Sequence, residues 1–255
     1  MGKLVSGYLW AWKKCDAGLK SVNSLKKFYP DADIFINVDY EGDVETYQKI
    51  CDENEFIFSR NNFQLGYCGN FTGQNVGREC WDREYTFEWV RGIYNACLNT
   101  DSKYMLLLEE DDFILKNPTI LSEEFSMAIH PTSPSPIGVY RPNGIPNEYT
   151  NYIMNYGGQP ASPGYAAGGG TFFNREQFIR AWEIHHDTIW TDYEYLKKCS
   201  KIIGWADYIL QFVMQMGGYE IIQNDKLAEH WEVGDKWNEF EIITGMKDIE
   251  IIKSL

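Results

Sequence analysis

The chain has 255 residues, 44% of them hydrophobic and 16% aromatic, enough for one large α/β domain with a sizeable core or for two small domains. Its formal net charge of −14 argues against nucleic acid or an anionic membrane surface as the main partner, because either would repel it. No stretch approaches the roughly 18 consecutive apolar residues of a membrane span, and the opening MGKLVSGYLWAWKK lacks the basic-then-apolar order of a secretory signal.

Residues 4–12 read as a first strand and its exit. Residues 13–29 follow with helical spacing, Ala17, Val22, Leu25 and Phe28 being apolar and Pro30 the stop. Residues 33–38 read as a second strand ending at Asp39, 44–53 as a helix and 55–58 as a short third strand. This β-α-β-α-β order predicts a parallel sheet with right-handed crossovers. Residues 60–78 are rich in Gly and Asn and read as a loop long enough to be functional. Residues 82–98 read as a strong helix with Tyr85, Trp89, Ile93 and Ala96 along one face.

The alternation ends in residues 103–115, KYMLLLEEDDFIL. A short apolar run without polar alternation fits a strand buried on both faces of a parallel sheet. Glu109, Glu110, Asp111 and Asp112 follow at once, and unpaired carboxylates cannot lie inside such a core. They belong at the strand's carboxyl end, where open α/β sheets place ligands. A hard divalent cation carrying substrate phosphates is a suitable partner for them. The bland alternative is a solvated acidic run, and the apolar segments on both sides speak against it.

Beyond Pro118 the pattern loosens. Residues 120–129 read as a short helix, and five prolines within 130–146 surround one strand at 137–140. A tyrosine-bearing loop over 147–170 ends in Gly168, Gly169 and Gly170. Then come a strand at 171–173, a helix at 175–182, a helix at 205–216 stopped by Gly217 and Gly218, and a strand at 219–222. Leu227 to Trp231 follow, and then a polar tail. The six cysteines, 15, 51, 68, 80, 97 and 199, show no CxxC pair and read as reduced core thiols of a cytosolic protein. The sequon at Asn70 means little without a secretory signal.

In this order of elements the chain resembles the GT-A-fold glycosyltransferases. Glu110, Asp111 and Asp112 are similar to the EDD variant of their DxD motif, and the glycine run before a short strand and helix matches their acceptor side. The resemblance implies a GT-A (Rossmann-like) α/β fold, with a mostly parallel central sheet flanked by helices in a single domain. Residues 1–115 would form the nucleotide-donor half and 116–255 the acceptor half. It implies transfer of a sugar from a nucleotide-sugar, UDP- ahead of GDP-, to a carbohydrate hydroxyl, with inversion and with Mn²⁺ or Mg²⁺ as cofactor. Asp112 and His230 are then the metal ligands, with a packed or surface His230 as the alternative. Glu110 and Asp111 would orient ribose, sugar or metal-bound water. Asp207 is the candidate general base, or else simply the cap of its helix, with Asp192 and Glu194 as weaker choices. Tyr8, Trp10 and Asp39 would meet base and ribose, although core packing also accounts for Tyr8 and Trp10. Arg60, Arg78 and Arg83 are cations near the donor side, Arg83 having Glu79 or Glu84 as another partner. Gly169 and Gly170 would let backbone approach the acceptor sugar. His185, His186 and Asp187 read as a helix end, because adjacent side chains diverge. The absence of an anchor points to a cytoplasmic enzyme of bacterial or viral type, unless the sequence is truncated. The rivals are a sugar-phosphate nucleotidyltransferase and a non-catalytic carbohydrate- or Ca²⁺-binding protein.

Overall fold

The computed structural model describes residues 2–39, 42–61, 83–130, 168–186 and 206–246. The loop over 62–78, the strand expected at 137–140, Arg78, Asp187, Asp192, Glu194 and the cysteines 68, 80 and 199 lie outside them. The first half follows the expected alternation: β1 (Val5–Ala11), α1 (Cys15–Lys26), β2 (Ile34–Val38), α2 (Val44–Asn54), β3 (Ile57–Arg60), α3 (Arg83–Leu98) and β4 (Tyr104–Glu109). β1 pairs in parallel with β2 on one side and β4 on the other, and β2 pairs in parallel with β3. The chain thus winds outward from β1 to β3 and returns across it to β4. The crevice between the carboxyl ends of β1 and β4 is the topological switch point of the sheet.

The second half is built from shorter pieces. β5 (Phe113–Ile114) and a 3-10 turn (Thr119–Ser122) lead to β6 (Met127–Ile129), where the sequence predicts a helix instead. Apolar Met127, Ala128 and Ile129 are completely or almost completely buried between two strand partners, and this pairing outweighs the local helical spacing. β7 (Phe172–Asn174), α4 (Arg175–His185), α5 (Ala206–Met216) and β8 (Ile221–Gln223) follow. They complete a seven-stranded sheet of order β3-β2-β1-β4-β7-β6-β8. β7 runs antiparallel to β4 and β6, and β6 and β8 are parallel. The expected polar tail is not a simple one. β9 (Leu227–Glu229), α6 (His230–Val233), a 3-10 turn (Gly234–Glu239) and β10 (Ile242–Thr244) fill it, and β10 joins β5 and β9 in a three-stranded sheet.

Strand alternation sorts the core into two layers. Leu9, Ile36, Leu106 and Leu108 meet α1 and α2 through Val22, Leu25, Tyr47 and Ile50. Tyr8, Phe35, Met105 and Leu107 meet α3, α4 and α5 through Trp89, Ile93, Phe178 and Val213. Cys15, Cys51 and Cys97 are buried thiols without disulfides, with burial pushing Cys15 up to about 12 and Cys51 to about 11. Among the described residues no helix is long and apolar enough to cross a membrane.

Candidate functional site

β4 delivers the acidic run to the carboxyl edge of the sheet, and its residues then part company. Glu110 turns into the layer of α1 and α2. Its Oε1 accepts from Trp12 N at 2.7 Å, Lys14 N at 2.9 Å and the Tyr47 hydroxyl at 2.7 Å. Gly18 on α1 leaves the room for that hydroxyl, since a Cβ there would stand 2.3 Å from it. Glu110 is therefore engaged with the exit of β1 and with α2 and is only 7% exposed. Asp111 accepts from Lys14 Nζ at 3.0 Å, and its carbonyl accepts from Met246 N at 2.9 Å. The burial of Lys14 lowers its pKa, but Asp111, Glu110 and Glu109 act the other way and leave it raised.

Asp112 turns toward the second half. It is 1% exposed, and its Oδ2 accepts from Glu109 N at 2.5 Å. Burial, followed by the charges of Glu109, Asp111 and Glu229, holds its carboxyl well above the ordinary carboxylate range; the Glu109 N–H acts in the opposite sense. The carboxylate rests directly on Gly169, where a Cβ would lie 1.8 Å from Oδ2. The antiparallel pairing of β7 with β4 explains this contact. With Phe172 opposite Leu106, the residues just before β7 lie beside the end of β4, and Gly170 N donates to Leu107 O at 2.8 Å.

β9 and β10 close the site from the other side. Gly170, at φ +76°, faces Leu227 and Thr244 at 2.5 and 3.0 Å from its would-be Cβ. Gly245, at φ +67°, lies against Glu229 Oε2 and His230 Nδ1, at 2.9 and 3.5 Å from its own. These glycines supply left-handed backbone and close approach at once. Glu229 N donates to His130 Nε2 at 3.2 Å. Thus Asp112 lies against Gly169, far from it in sequence, with the charge of Glu229 nearby, and His230 lies beside Glu229 at the Gly245 turn. Glu229 and His130 are residues that no sequence pattern singled out.

The other expected residues are placed differently. Tyr8 is 1% exposed in the α3 layer, so core packing describes it and no face is presented for stacking. Trp10 is half-buried with its ring 5.5 Å from that of Trp89. Asp39 is buried at the end of β2. Arg60 ends β3, two strands from β1, and Arg83 begins α3 with its side chain outside the described ones. Asp207 is the second residue of α5, in its first turn, and its side chain likewise lies outside the described ones. His185 ends α4 with Nε2 2.8 Å from Met216 O, in keeping with a helix-end role.

Among the described residues no group of three or more His, Cys, Asp or Glu side chains is arranged to hold a metal ion. The donors suit one in kind. Asp112 is a buried carboxyl among carboxylates, and His230 Nδ1 is a buried nitrogen without a hydrogen-bond partner. A carboxylate oxygen suits a hard divalent cation, and an imidazole nitrogen is the donor type of softer transition metals.

No protein-family model matches the chain, and no curated protein matches it in sequence. Solved structures do match it. Galactosyltransferase LgtC in complex with donor and acceptor sugar analogues aligns with a TM-score of 0.51 at 12% identity, covering 93% of this chain and 86% of that chain. An active-site mutant of LgtC aligns with a TM-score of 0.52 at 11% identity, covering 97% of this chain and 94% of that chain. At this identity the likeness establishes the fold: the chain has the GT-A architecture, a large and mostly parallel sheet flanked by helices.

Proposed function

We propose that this protein is a glycosyltransferase that moves a sugar from a nucleotide-sugar, a UDP-sugar ahead of a GDP-sugar, to a carbohydrate hydroxyl, using Mn²⁺ or Mg²⁺. The observation that carries the reading is the buried Asp112 carboxyl lying on Gly169 at the end of β4, with the charge of Glu229 nearby, beside the switch point of a fold shared with a galactosyltransferase. Fold alone does not decide chemistry, so the weight rests on this site. Asp112 and His230 would hold the metal. A bound metal supplies Lewis-acid stabilisation of the charge that grows on the departing diphosphate. Gly169 and Gly170 are buried and admit the Asp112 carboxylate and the Leu227 and Thr244 side chains, so the close approach they allow is made by the protein and not by an acceptor sugar, and Glu110 acts from behind by fixing the β1 exit. Asp207 is the candidate base for the acceptor hydroxyl. The anomeric configuration of fresh product, read by NMR, tests that role: inversion goes with Asp207 as base, and retention removes it.

Thermal melting with UDP, GDP, ADP and CMP, each with and without Mn²⁺, tests the donor site. A ligand present at about a hundredfold its Kd adds roughly 2.7 kcal/mol and raises Tm by about 5–10 °C in a chain of this size. The expected result is a shift with one nucleotide that needs the metal and disappears in Asp112→Ala. A flat response to every nucleotide would remove the transferase reading.

A further inference from the structure

Resting on the transferase reading, we propose that Lys14 takes the diphosphate of the donor, with Glu110 as the positioning residue that sets it at the acidic motif. The reasoning starts from topology. Ligands of open α/β sheets lie at the switch point, here between the carboxyl ends of β1 and β4. Among the described residues, the end of β4 contributes carboxylates to that crevice: Glu109, Asp111 and Asp112. A diphosphate is itself anionic, and a protein cation there would make strong charge-assisted hydrogen bonds to it.

Lys14 comes from the β1 side. It lies three residues beyond the end of β1, and its ammonium donates to Asp111 Oδ2 at 3.0 Å. It is a cation bonded to the motif itself. Arg175, by contrast, is bonded to the carbonyls of Cys97 and Ser102, and Ser102 precedes β4, so Arg175 serves the opposite end of the sheet. The Lys14 side chain is 52% exposed, and an ammonium has three N–H donors, so contact with Asp111 leaves two for a ligand. Lys13 has the same charge but a different setting, with its ammonium over the Trp12 ring at 4.6 Å.

The backbone around Lys14 is tied to the acidic run. Glu110 accepts both the Trp12 and the Lys14 N–H, and the Tyr47 hydroxyl fixes Glu110 from α2. The first carboxylate of the motif thus holds the lysine in place, and the second one aims its head.

The test measures Kd by calorimetry for UDP and GDP with Mn²⁺ in wild type, Lys14→Met, Lys14→Arg and Lys13→Met. Circular dichroism of each variant first confirms folding. Lys14→Met and Lys13→Met remove the same charge, so their difference isolates the local contact from the overall field. The expected result is at least tenfold weaker nucleoside-diphosphate binding in Lys14→Met, near-complete retention in Lys14→Arg, and a change within twofold in Lys13→Met. Lys14→Met within twofold of wild type, or an equal loss in Lys13→Met, would overturn the proposal while leaving the transferase reading in place. A wild type that binds neither diphosphate would count against both.

Discussion

Glu110 and Asp112 stand two residues apart, yet they face different halves of the molecule. Glu110 enters the layer of α1 and α2 and accepts three hydrogen bonds from Trp12, Lys14 and Tyr47. Asp112 faces the glycine turn and the β9–β10 sheet, accepts one N–H from Glu109, and carries a raised pKa among like charges. The difference gives neighbouring carboxylates of one acidic run different surroundings. A buried carboxylate with three internal donors on one oxygen is tied into the structure, whereas one surrounded by carboxylates is held toward its neutral form.

Three substitutions can break or sharpen this contrast. Glu110→Ala should cause the largest loss of stability. It leaves two backbone N–H groups and the buried Tyr47 hydroxyl without their acceptor, at about 1–3 kcal/mol for each unsatisfied group. A denaturant titration should therefore show a loss of about 3 kcal/mol or more, and a loss below about 1 kcal/mol would refute the scaffold role. Gly169→Ala comes next. The new methyl would meet all three atoms of the Asp112 carboxylate within 2.5 Å, so about 1–3 kcal/mol of overpacking strain should accompany the loss of the metal-dependent nucleotide shift. An unchanged shift in that variant would place the metal elsewhere.

Asp112→Asn should have the smallest effect on stability and the opposite tendency. A carboxyl whose pKa rises on folding keeps its proton longer in the native state. Native stability therefore falls as pH rises from the unfolded value of about 3.9 toward the raised folded value. In metal-free protein the neutral amide should remove that slope and leave stability at pH 7 equal to or above wild type. Activity should nevertheless be lost. A strongly destabilised Asp112→Asn would mean that Asp112 belongs to the scaffold as Glu110 does.

How much was legible beforehand differs between the two halves in the same way. β1 to β4 are strands of four to seven residues separated by helices of 11 to 16, so periodicity, Pro30 and the apolar runs marked them to within a few residues. β6, β7, β8, β9 and β10 have three residues each, too few to show any period. The helix expected over 120–129 failed for that reason, and β10 was hidden in what reads as a polar tail. Glu229 and His130 escaped notice because neither stands in a motif, and only the pairing of β9 with β10 and the turn of Gly245 bring Glu229 to the site.

The sequence by itself determined the parallel β-α-β half, the burial of β4 and the need to place four carboxylates at its end, because these follow from apolar period and the high cost of buried charge. It did not determine which carboxylate faces which partner. That depended on the reversal of direction between β4 and β7, which sets Gly169 against Asp112, and on the contact of α2 with the β1 exit, which gives Glu110 to Trp12, Lys14 and Tyr47. Strand direction and helix docking are settled by the packing of residues far apart in the chain. No local pattern of residues 109–112 carries them.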